Sequence, residues 1–477
     1  MLATKLLLIF FFLGTTICKA QNDTSAFYER VPGKVMTDSS VKMLISSITI
    51  KGNKKTKKYI IAREMLLKIG DSVVASDIYS KLSQSQELIY NTALFTEVTL
   101  VPQFFSDTAI SILVTVKEKW YIYPTIQFQL IDRNFNEWIS TADLERVTYG
   151  AKFAHYNLSG RRDQLRVNLL TGYSRNFAIN YTNPYSNHAL TEGFSIGASY
   201  TQNREVIYNT TAQNLPLRYT NNGFVRNSFS ASGSYIMRKG FYRRHVFSIG
   251  YSYINVDDSI TKNYNPAYFN RTKNFVGFID LGYNYQYTNT NNINYPLTGK
   301  ILSLSLTKRG LASTGGINMF YIDAIVNKYV AHTKNWYSSI QTEARVKLPF
   351  KQAYINQRSL GYGDQYLQGL EKYIIDGVLM GLAKYTLKRK LVSFKIPVPV
   401  KNKLVSNIPI TIFAKTYANA GYSYNQKGFE SALGNRLLYT GGFGIDILTL
   451  YDLNIKLEYS FNQLGEKGLF LHAKGGF

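Results

Sequence analysis

Cysteine is all but absent. The 477-residue chain has one, Cys18, inside the opening stretch MLATKLLLIFFFLGTTICKA. That stretch carries an early Lys5, an apolar run from Leu6 to Leu13 and small or polar residues ending at Ala20, the three parts of a secretory signal peptide. Cleavage after Ala20 leaves no cysteine, which excludes a disulfide framework, Cys-ligated metals and a Cys nucleophile. A lipid-modified Cys18 would need a small residue before it, and Ile17 fits that poorly. Acids are also few, with Asp plus Glu 30 against Lys plus Arg 55 and a formal charge of +25. Beyond residue 20 no stretch approaches the ~18 apolar residues of a membrane-spanning helix. The mature chain is therefore soluble, or it crosses a membrane as a closed β-barrel, whose backbone groups are all paired internally.

What is present is aromatic: Tyr 38 and Phe 28 against Trp 3, with 45% hydrophobic residues, which excludes a disordered or collagen-like chain. From Val41 to Trp120 the pattern is mixed. MLISSITIKGN alternates and stops at Gly52-Asn53, as a strand ending in a turn does. TKKYIIAREMLLKIGD has Ile60, Ile61, Met65, Leu66 and Leu67 at helical spacing and a stop at Gly70. ASDIYSKLSQSQELIYNTALF predicts a second helix, with Asp77 near its start, where the helix dipole favours an acid. FTEVTLVPQF and AISILVTVKEKW alternate again, so residues 41–120 predict a small α+β unit of order β-α-α-β-β.

After Trp120 the chain reads in twos. In LNIKLEYSF, Leu453, Ile455, Leu457, Tyr459 and Phe461 oppose Asn454, Lys456, Glu458 and Ser460. ILSLSLTKRG and FVGFIDLGYNYQYT behave alike, each with one greasy and one wet face. About sixteen such segments run from 121 to 477, an even number of ~10-residue strands, as in bacterial outer-membrane barrels. Short connections (449–452 and 173–177) mix with long ones near 204–223, 257–274, 350–378, 393–407 and 423–437. Short turns on one rim and long loops on the other distinguish a membrane barrel from a soluble sandwich. The expected class is mainly β: residues 1–20 signal peptide, 21–40 leader, 41–120 the α+β unit, and 121–477 a sixteen-stranded antiparallel transmembrane barrel bearing +20 of the charge. In a barrel such cations line the lumen or meet anionic lipid at the rims. Nucleic acid is not expected as a partner of an exported chain.

No catalytic constellation stands out. GFSIG (193–197) matches the GxSxG elbow, but Phe194, Ile196, Ala198 and Tyr200 continue as an alternating strand with no helix to follow, so the Ser is not presented. His155, His188, His245, His332 and His472 are scattered singly. No metal, cofactor or enzymatic activity is expected.

Several local patterns carry a resemblance. The first unit, with GN after its first strand, KIGD between the helices and YNTALFTEVTL before the last strands, resembles a POTRA domain, the periplasmic module of the BamA/TamA family of outer-membrane assembly and translocation proteins. FAINYTNPY (177–185), INYPLTGKILSLSL, AKTYANAGYSY, TGGFGIDIL and the terminal Phe477 resemble that family's barrel strands, so the likeness covers 41–477. The family's Arg-Gly-aromatic step, in a long loop folded back into the lumen against inner-wall acids, departs here. In YLQGLEKYIIDG, Gly369 and Gly377 are kept, Gln368 stands in the Arg position and Leu370 in the aromatic one, and the inner-wall acid becomes Asn419. Both departures remove charge. A lone buried charge costs several kcal/mol, whereas a Gln–Asn hydrogen bond is worth ~1 kcal/mol net, so Gln368 and Asn419 are expected to touch as an uncharged loop latch.

The final strand GLFLHAKGGF holds Gly468, Gly475 and Gly476 before Phe477, and glycine weakens strand pairing. It is either an ordinary barrel corner with a terminal aromatic or, as the resemblance implies, a weak seam against YIYPTIQFQL. The resemblance implies an outer-membrane location with the POTRA unit in the periplasm. The partners it implies are unfolded outer-membrane or exported proteins received on the sheet edges 44–51 or 95–104, further assembly-complex subunits, and outer-membrane lipid. A dedicated secretion pore and an accessory barrel without insertase activity remain alternatives.

Overall fold

The computed structural model describes residues 41–104, 106, 108–130, 147–310, 317–397, 407–426, 431–450 and 453–474. The expected signal peptide 1–20, the leader 21–40 and the seam residues Gly475, Gly476 and Phe477 lie outside the described residues. No helix among the described residues is long and apolar enough to cross a membrane.

The first unit runs β1 (Lys42–Lys51), α1 (Lys58–Ala62), β2 (Ser72–Val74), α2 (Ala75–Tyr90), β3 (Phe95–Phe104) and β4 (Ala109–Glu118). Its sheet has the order β2-β1-β4-β3, with β1 parallel to β4. A bulge between Ile45 and Ser47 shifts the alternation of β1. Met43 and Ile45 before it, and Ile48 and Ile50 after it, can then all reach the core formed with Ile60, Ile78, Leu82 and Ile112.

Two expectations change. The helix expected over the Ile60–Leu67 run is only five residues long, because the chain leaves it at Arg63 to send Arg63 and Glu64 into the neighbouring barrel. The three residues of β2 make the sheet four-stranded. They pair only with Lys42–Leu44, and β4 flanks β1 on its other side, so among the described residues β1 has a strand on one side only beyond Ile45. β3, paired only with β4, is the outer strand at the other end of the sheet.

The barrel begins with β5 (Ile122–Leu130), β6 (Val147–His155), β7 (Gln164–Gly172), β8 (Ser174–Asn183) and β9 (Glu192–Asn203). A separate hairpin, β10 (Glu205–Thr210) and β11 (Pro216–Thr220), interrupts it. β12 (Arg226–Lys239), β13 (Arg243–Val256), β14 (Phe275–Thr290), β15 (Gly299–Arg309), β16 (Met319–Ala331) and β17 (Trp336–Leu348) follow. The wall ends with β18 (Leu379–Pro397), β19 (Asn407–Tyr424), β20 (Leu437–Leu448), β21 (Asn454–Asn462) and β22 (Lys467–Lys474). Sixteen strands form one antiparallel sheet in chain order from β5 to β22, skipping the hairpin. Among the described residues no ladder joins β5 to β22. The greasy faces point outward: Ile126 is 89% exposed and Leu471 71%. Such a row would be unfavourable in water and suits a lipid solvent.

The rims differ much as the sequence suggests, with two corrections. The one-residue turn at Tyr173 lies on the long-loop rim. Residues 393–397 and 407 are not loop but strand, prolonging β18 and β19 on the opposite rim, beside the first unit. GFSIG lies wholly within β9, and so has no elbow.

The first unit is bound to that rim through buried polar groups. Arg238 of β12 grips Glu64 with two hydrogen bonds of 2.5 and 2.7 Å, and Tyr185, from the Asn-Pro-Tyr step, donates to the same carboxylate at 3.1 Å. Burial alone would push the Glu64 carboxyl up; the Arg238 hydrogen bonds and charge hold it below the usual range instead. Around it Arg162 donates to the Thr92 carbonyl at 2.9 Å, and Asn91 bonds Thr290 O and Ile293 N at 2.7 and 2.9 Å. Gly160 accepts from Lys57 N at φ +83°, where a Cβ would stand 2.3 Å from the Lys55 oxygen, so only glycine permits this approach.

With Glu64 and Arg238 exposed by only 1% and 6%, removing one partner strands a buried charge, at a cost of about 3–5 kcal/mol. Arg238→Met is therefore expected to speed tryptic release of the first unit at Lys117, and the double change Glu64→Gln with Arg238→Met to regain most of the protection. Equal cleavage in all three proteins would show that this pair does not fasten the unit.

Candidate functional site: the occupied lumen

Alternation sends every second side chain of β19–β22 into the lumen. Lys415, Tyr417, Asn419 and Ser423 of β19, Asp446 of β20, Glu458 and Ser460 of β21 and His472 of β22 form one inner wall. At its centre Lys415 Nζ bridges two acids, Asp446 and Glu458, the latter at 2.5 Å. Lys388 adds a second cation 3.3 Å from Asp446.

Lys415 and Glu458 belong to strands separated by β20, about 9–10 Å apart. Their contact exists because β20 presents glycine where it would otherwise present a side chain. Gly444 lies opposite both residues, and a Cβ there would meet the Leu457 oxygen at 2.3 Å. Two residues along, Tyr417 reaches over Gly442 to bond Ser460 Oγ at 2.7 Å, and a Cβ on Gly442 would stand 2.5 Å from the Tyr417 hydroxyl. The glycines of TGGFGIDIL therefore let β19 and β21 bond directly.

Two chain segments enter the lumen and end on these acids. From the long-loop rim comes the loop 349–378. Asn419 Nδ2 donates to Gln368 Oε1 at 3.0 Å, and Gln368 Nε2 donates to Glu458 Oε1 at 3.1 Å. From the rim beside the first unit comes the turn 291–298 of the INYPLTG step. Its Tyr295 hydroxyl donates to Asp446 Oδ2 at 2.7 Å, above an apolar cluster with Leu297, Tyr337 and Phe413.

The contact of Gln368 with Asn419 has the expected geometry, but the expectation of an uncharged latch is corrected. The acid lost at Asn419 is replaced in space by Glu458, already paired to Lys415, so Gln368 bridges an amide and a carboxylate. Gly369 (φ +91°) lies against β21, where a Cβ would meet Ser460 Cβ at 2.9 Å, and Asn462 donates to its carbonyl at 2.8 Å. Gly377 lies against β19, where a Cβ would be 2.2 Å from Ser423 Oγ. Gln368, Gly369 and Asn419 are thus gathered at one end of the loop and Gly377 at its exit. Gly468 is elsewhere, on β22 opposite Ser460.

Several anchors carried no signal of their own in the sequence. The Lys347 ammonium donates to the carbonyls of Asn356 (2.8 Å), Arg358 and Gly377, so one β17 side chain gathers three loop peptides. Asp376 accepts from Thr210 and Tyr362, both at 2.6 Å, fastening the loop to the outer hairpin. His472, one of the scattered histidines, is bonded to Glu458 at 3.0 Å, faces Glu371 at 3.6 Å and stacks on Tyr366 at 5.7 Å. The loop thereby touches the last described strand as well as the inner wall.

Burial, with Glu458 nearby, pushes the Glu371 carboxyl up from its ordinary 4.5 to about 7, while His472 opposes the shift. Burial also raises Asp376. Since the docked value lies above the ordinary one, the docked loop favours the protonated acid. This contribution is fully present below 4.5 and is lost as pH rises through about 7. A spin label at Gly363→Cys in a Cys18→Ser chain should become less mobile as pH falls across that window, and Glu371→Gln should flatten the response. A pH dependence unchanged by Glu371→Gln would remove this carboxyl from loop docking.

Two family models match the chain. The Omp85 superfamily domain matches residues 157–378, and the POTRA model, surface antigen variable number repeat, matches 43–119. No curated protein matches the chain. Among solved structures the chain is similar to BamA from Haemophilus ducreyi lacking POTRA domains 1-3, at 15% identity and a TM-score of 0.50, covering 92% of this chain and 85% of that one. It is also similar to CdiB from Escherichia coli, at 10% identity and 0.49, covering 93% and 92%. The POTRA unit, the sixteen-stranded barrel and the two matched models together make this chain a BamA/TamA-like member of the Omp85 superfamily, a protein of the bacterial outer membrane.

Proposed function

We propose that the protein assists insertion of client proteins into the outer membrane, working at the barrel wall rather than through an open lumen, with its POTRA domain in the periplasm. Family membership supports outer-membrane insertion or translocation of proteins in general. The observation that favours insertion is the occupied lumen, with loop 349–378 and turn 291–298 meeting it from opposite rims on one bonded cluster. A dedicated secretion pore would have to break both contacts before anything passed.

The accessory-barrel alternative rested on the missing Arg and acid. Glu458 weakens it, because the loop is still docked on a carboxylate. Gln368, Gly369, Gly377 and Asn419 form the loop latch, and β22 with Gly468 forms one side of the seam. Client segments first add to β3 by main-chain bonds, which do not depend on client sequence. The work is non-enzymatic, and exported or outer-membrane proteins, further complex subunits and lipid are its partners.

Two measurements test this reading. Depletion is expected to remove many barrel proteins from the outer membrane, whereas loss of a single exported protein would indicate a dedicated pore and loss of none an accessory role. A cysteine pair replacing Gln368 and Asn419 in a Cys18→Ser chain would lock the loop in the lumen. Insertion is expected to continue under oxidising conditions, and arrest on locking would contradict a route along the wall.

A further inference from the structure

Where the POTRA domain meets the mouth of the lumen, a cavity of about 60 Å³ lies between α2 and the barrel wall. By that measure it has room for about four or five waters, or for one group of similar size. Gln84, Glu87 and Asn91 line its POTRA side, and Arg238, Arg244 and the β14 residues Gln286, Thr288 and Thr290 line its barrel side. Alternation brings the barrel residues together. Ile249 and Tyr251 of β13 and Leu281 of β14 are exposed on the lipid face, so Arg244 and the three β14 residues point the other way, into the lumen. Arg244 lies opposite Gln286 on one side and opposite Arg238 on the other.

Charge is out of balance here. Arg63, Arg162 and Arg238 all act on Glu64, and Arg244 feels the same carboxylate, so four guanidinium groups share one acid. Three of them are engaged. Arg238 grips Glu64, Arg162 donates to the carbonyls of Thr92 and Asn91, and Arg63 donates to those of Leu190 and Gly240. Arg244 makes no hydrogen bond and no ion pair among the described residues. Glu87 does not serve as its counter-ion: it lies beside Tyr242, and burial raises its carboxyl with no cation opposing the shift.

Hydrogen bonding is incomplete at the same place. Arg238 Nε, Thr288 Oγ1 and Thr290 Oγ1 line the cavity as buried polar atoms without a partner in the protein. Arg238 is 6% exposed and Thr290 3%. A buried donor without an acceptor costs about 1–3 kcal/mol, and three of them beside a guanidinium fork describe the shape of what would satisfy them. The excess of cations selects an anion over a neutral polar group. A phosphate group offers at least three acceptor oxygens to the fork and the two hydroxyls, whereas a carboxylate offers two. Because the donors face the lumen and not the lipid side, the anion is a soluble one rather than a bilayer headgroup.

We propose that this cavity is a binding site for a soluble phosphate group, free or as a small phosphomonoester, held by the Arg244 guanidinium, the Thr288 and Thr290 hydroxyls and Arg238 Nε.

The test is calorimetric titration of the full-length protein in neutral detergent with inorganic phosphate, at neutral pH and with ionic strength fixed by potassium chloride. Saturable binding of one phosphate per chain is expected. Arg244→Gln should weaken it about tenfold or more, and Thr288→Val with Thr290→Val about threefold or more. Arg244→Lys keeps the charge without the fork and should retain part of the affinity, which separates loss of the site from loss of the fold. Absence of saturable binding would mean that the cavity holds water only and would overturn the proposal, as would equal binding by the unaltered chain and Arg244→Gln. Acetate binding as tightly as phosphate would overturn the choice of ligand.

Discussion

The lumen is organised around one ammonium group. Lys415 bonds Asp446 and Glu458 together, and each acid holds a different segment of chain: Asp446 the Tyr295 turn from one rim, Glu458 the Gln368 loop from the other. Without that cation nothing would join the two buried carboxylates, and Lys388 beside Asp446 and His472 beside Glu458 would be left to offset their charge. The penalty for stranded buried charge far exceeds the roughly 1 kcal/mol of each neutral hydrogen bond the entering segments contribute. The segments are therefore held as much by the electrostatics of the wall as by their own contacts. Gly442 and Gly444 are a condition of this arrangement, since they clear the space across β20 in which the bonds form.

The same logic governs the junction with the POTRA domain. Glu64 is buried between two domains and is tolerable there only because Arg238 and Tyr185 meet it. The Asn-Pro-Tyr and Tyr-Pro-Leu-Thr-Gly steps of two hairpins on the POTRA-side rim thus do comparable work. Each sends one tyrosine hydroxyl to a buried acid, one outside the lumen and one within it. Polar groups that would be costly alone in a dry interior become attachment points when their partners come from different chain segments.

Much of the fold was legible because alternation is local. A strand such as LNIKLEYSF shows its two faces without its neighbours, and the count of sixteen follows from repetition of that pattern. What was not legible is set by neighbours. The parallel pairing of β1 with β4 and the three-residue β2 set the order of the POTRA sheet, and neither leaves a local mark. Residues 393–407 suggested a long polar connection, yet 393–397 and 407 are strand, where an edge without a second neighbour accepts Pro397 as a central strand would not. In the lumen, Gln368 and Asn419 could be singled out from a motif. Glu458 and Lys415 could not, because their contact spans two strands; the spaced glycines of β20 were the one visible trace of it.

One cation closes the barrel from both ends, and ionic conductance of the full-length protein in a planar bilayer reads that closure. Conductance is expected to be low for the unaltered chain and to rise markedly for Lys415→Met, as the Tyr295 turn and the Gln368 loop lose their hold together. A Lys415→Met barrel that folds and conducts no more than the unaltered one would contradict it.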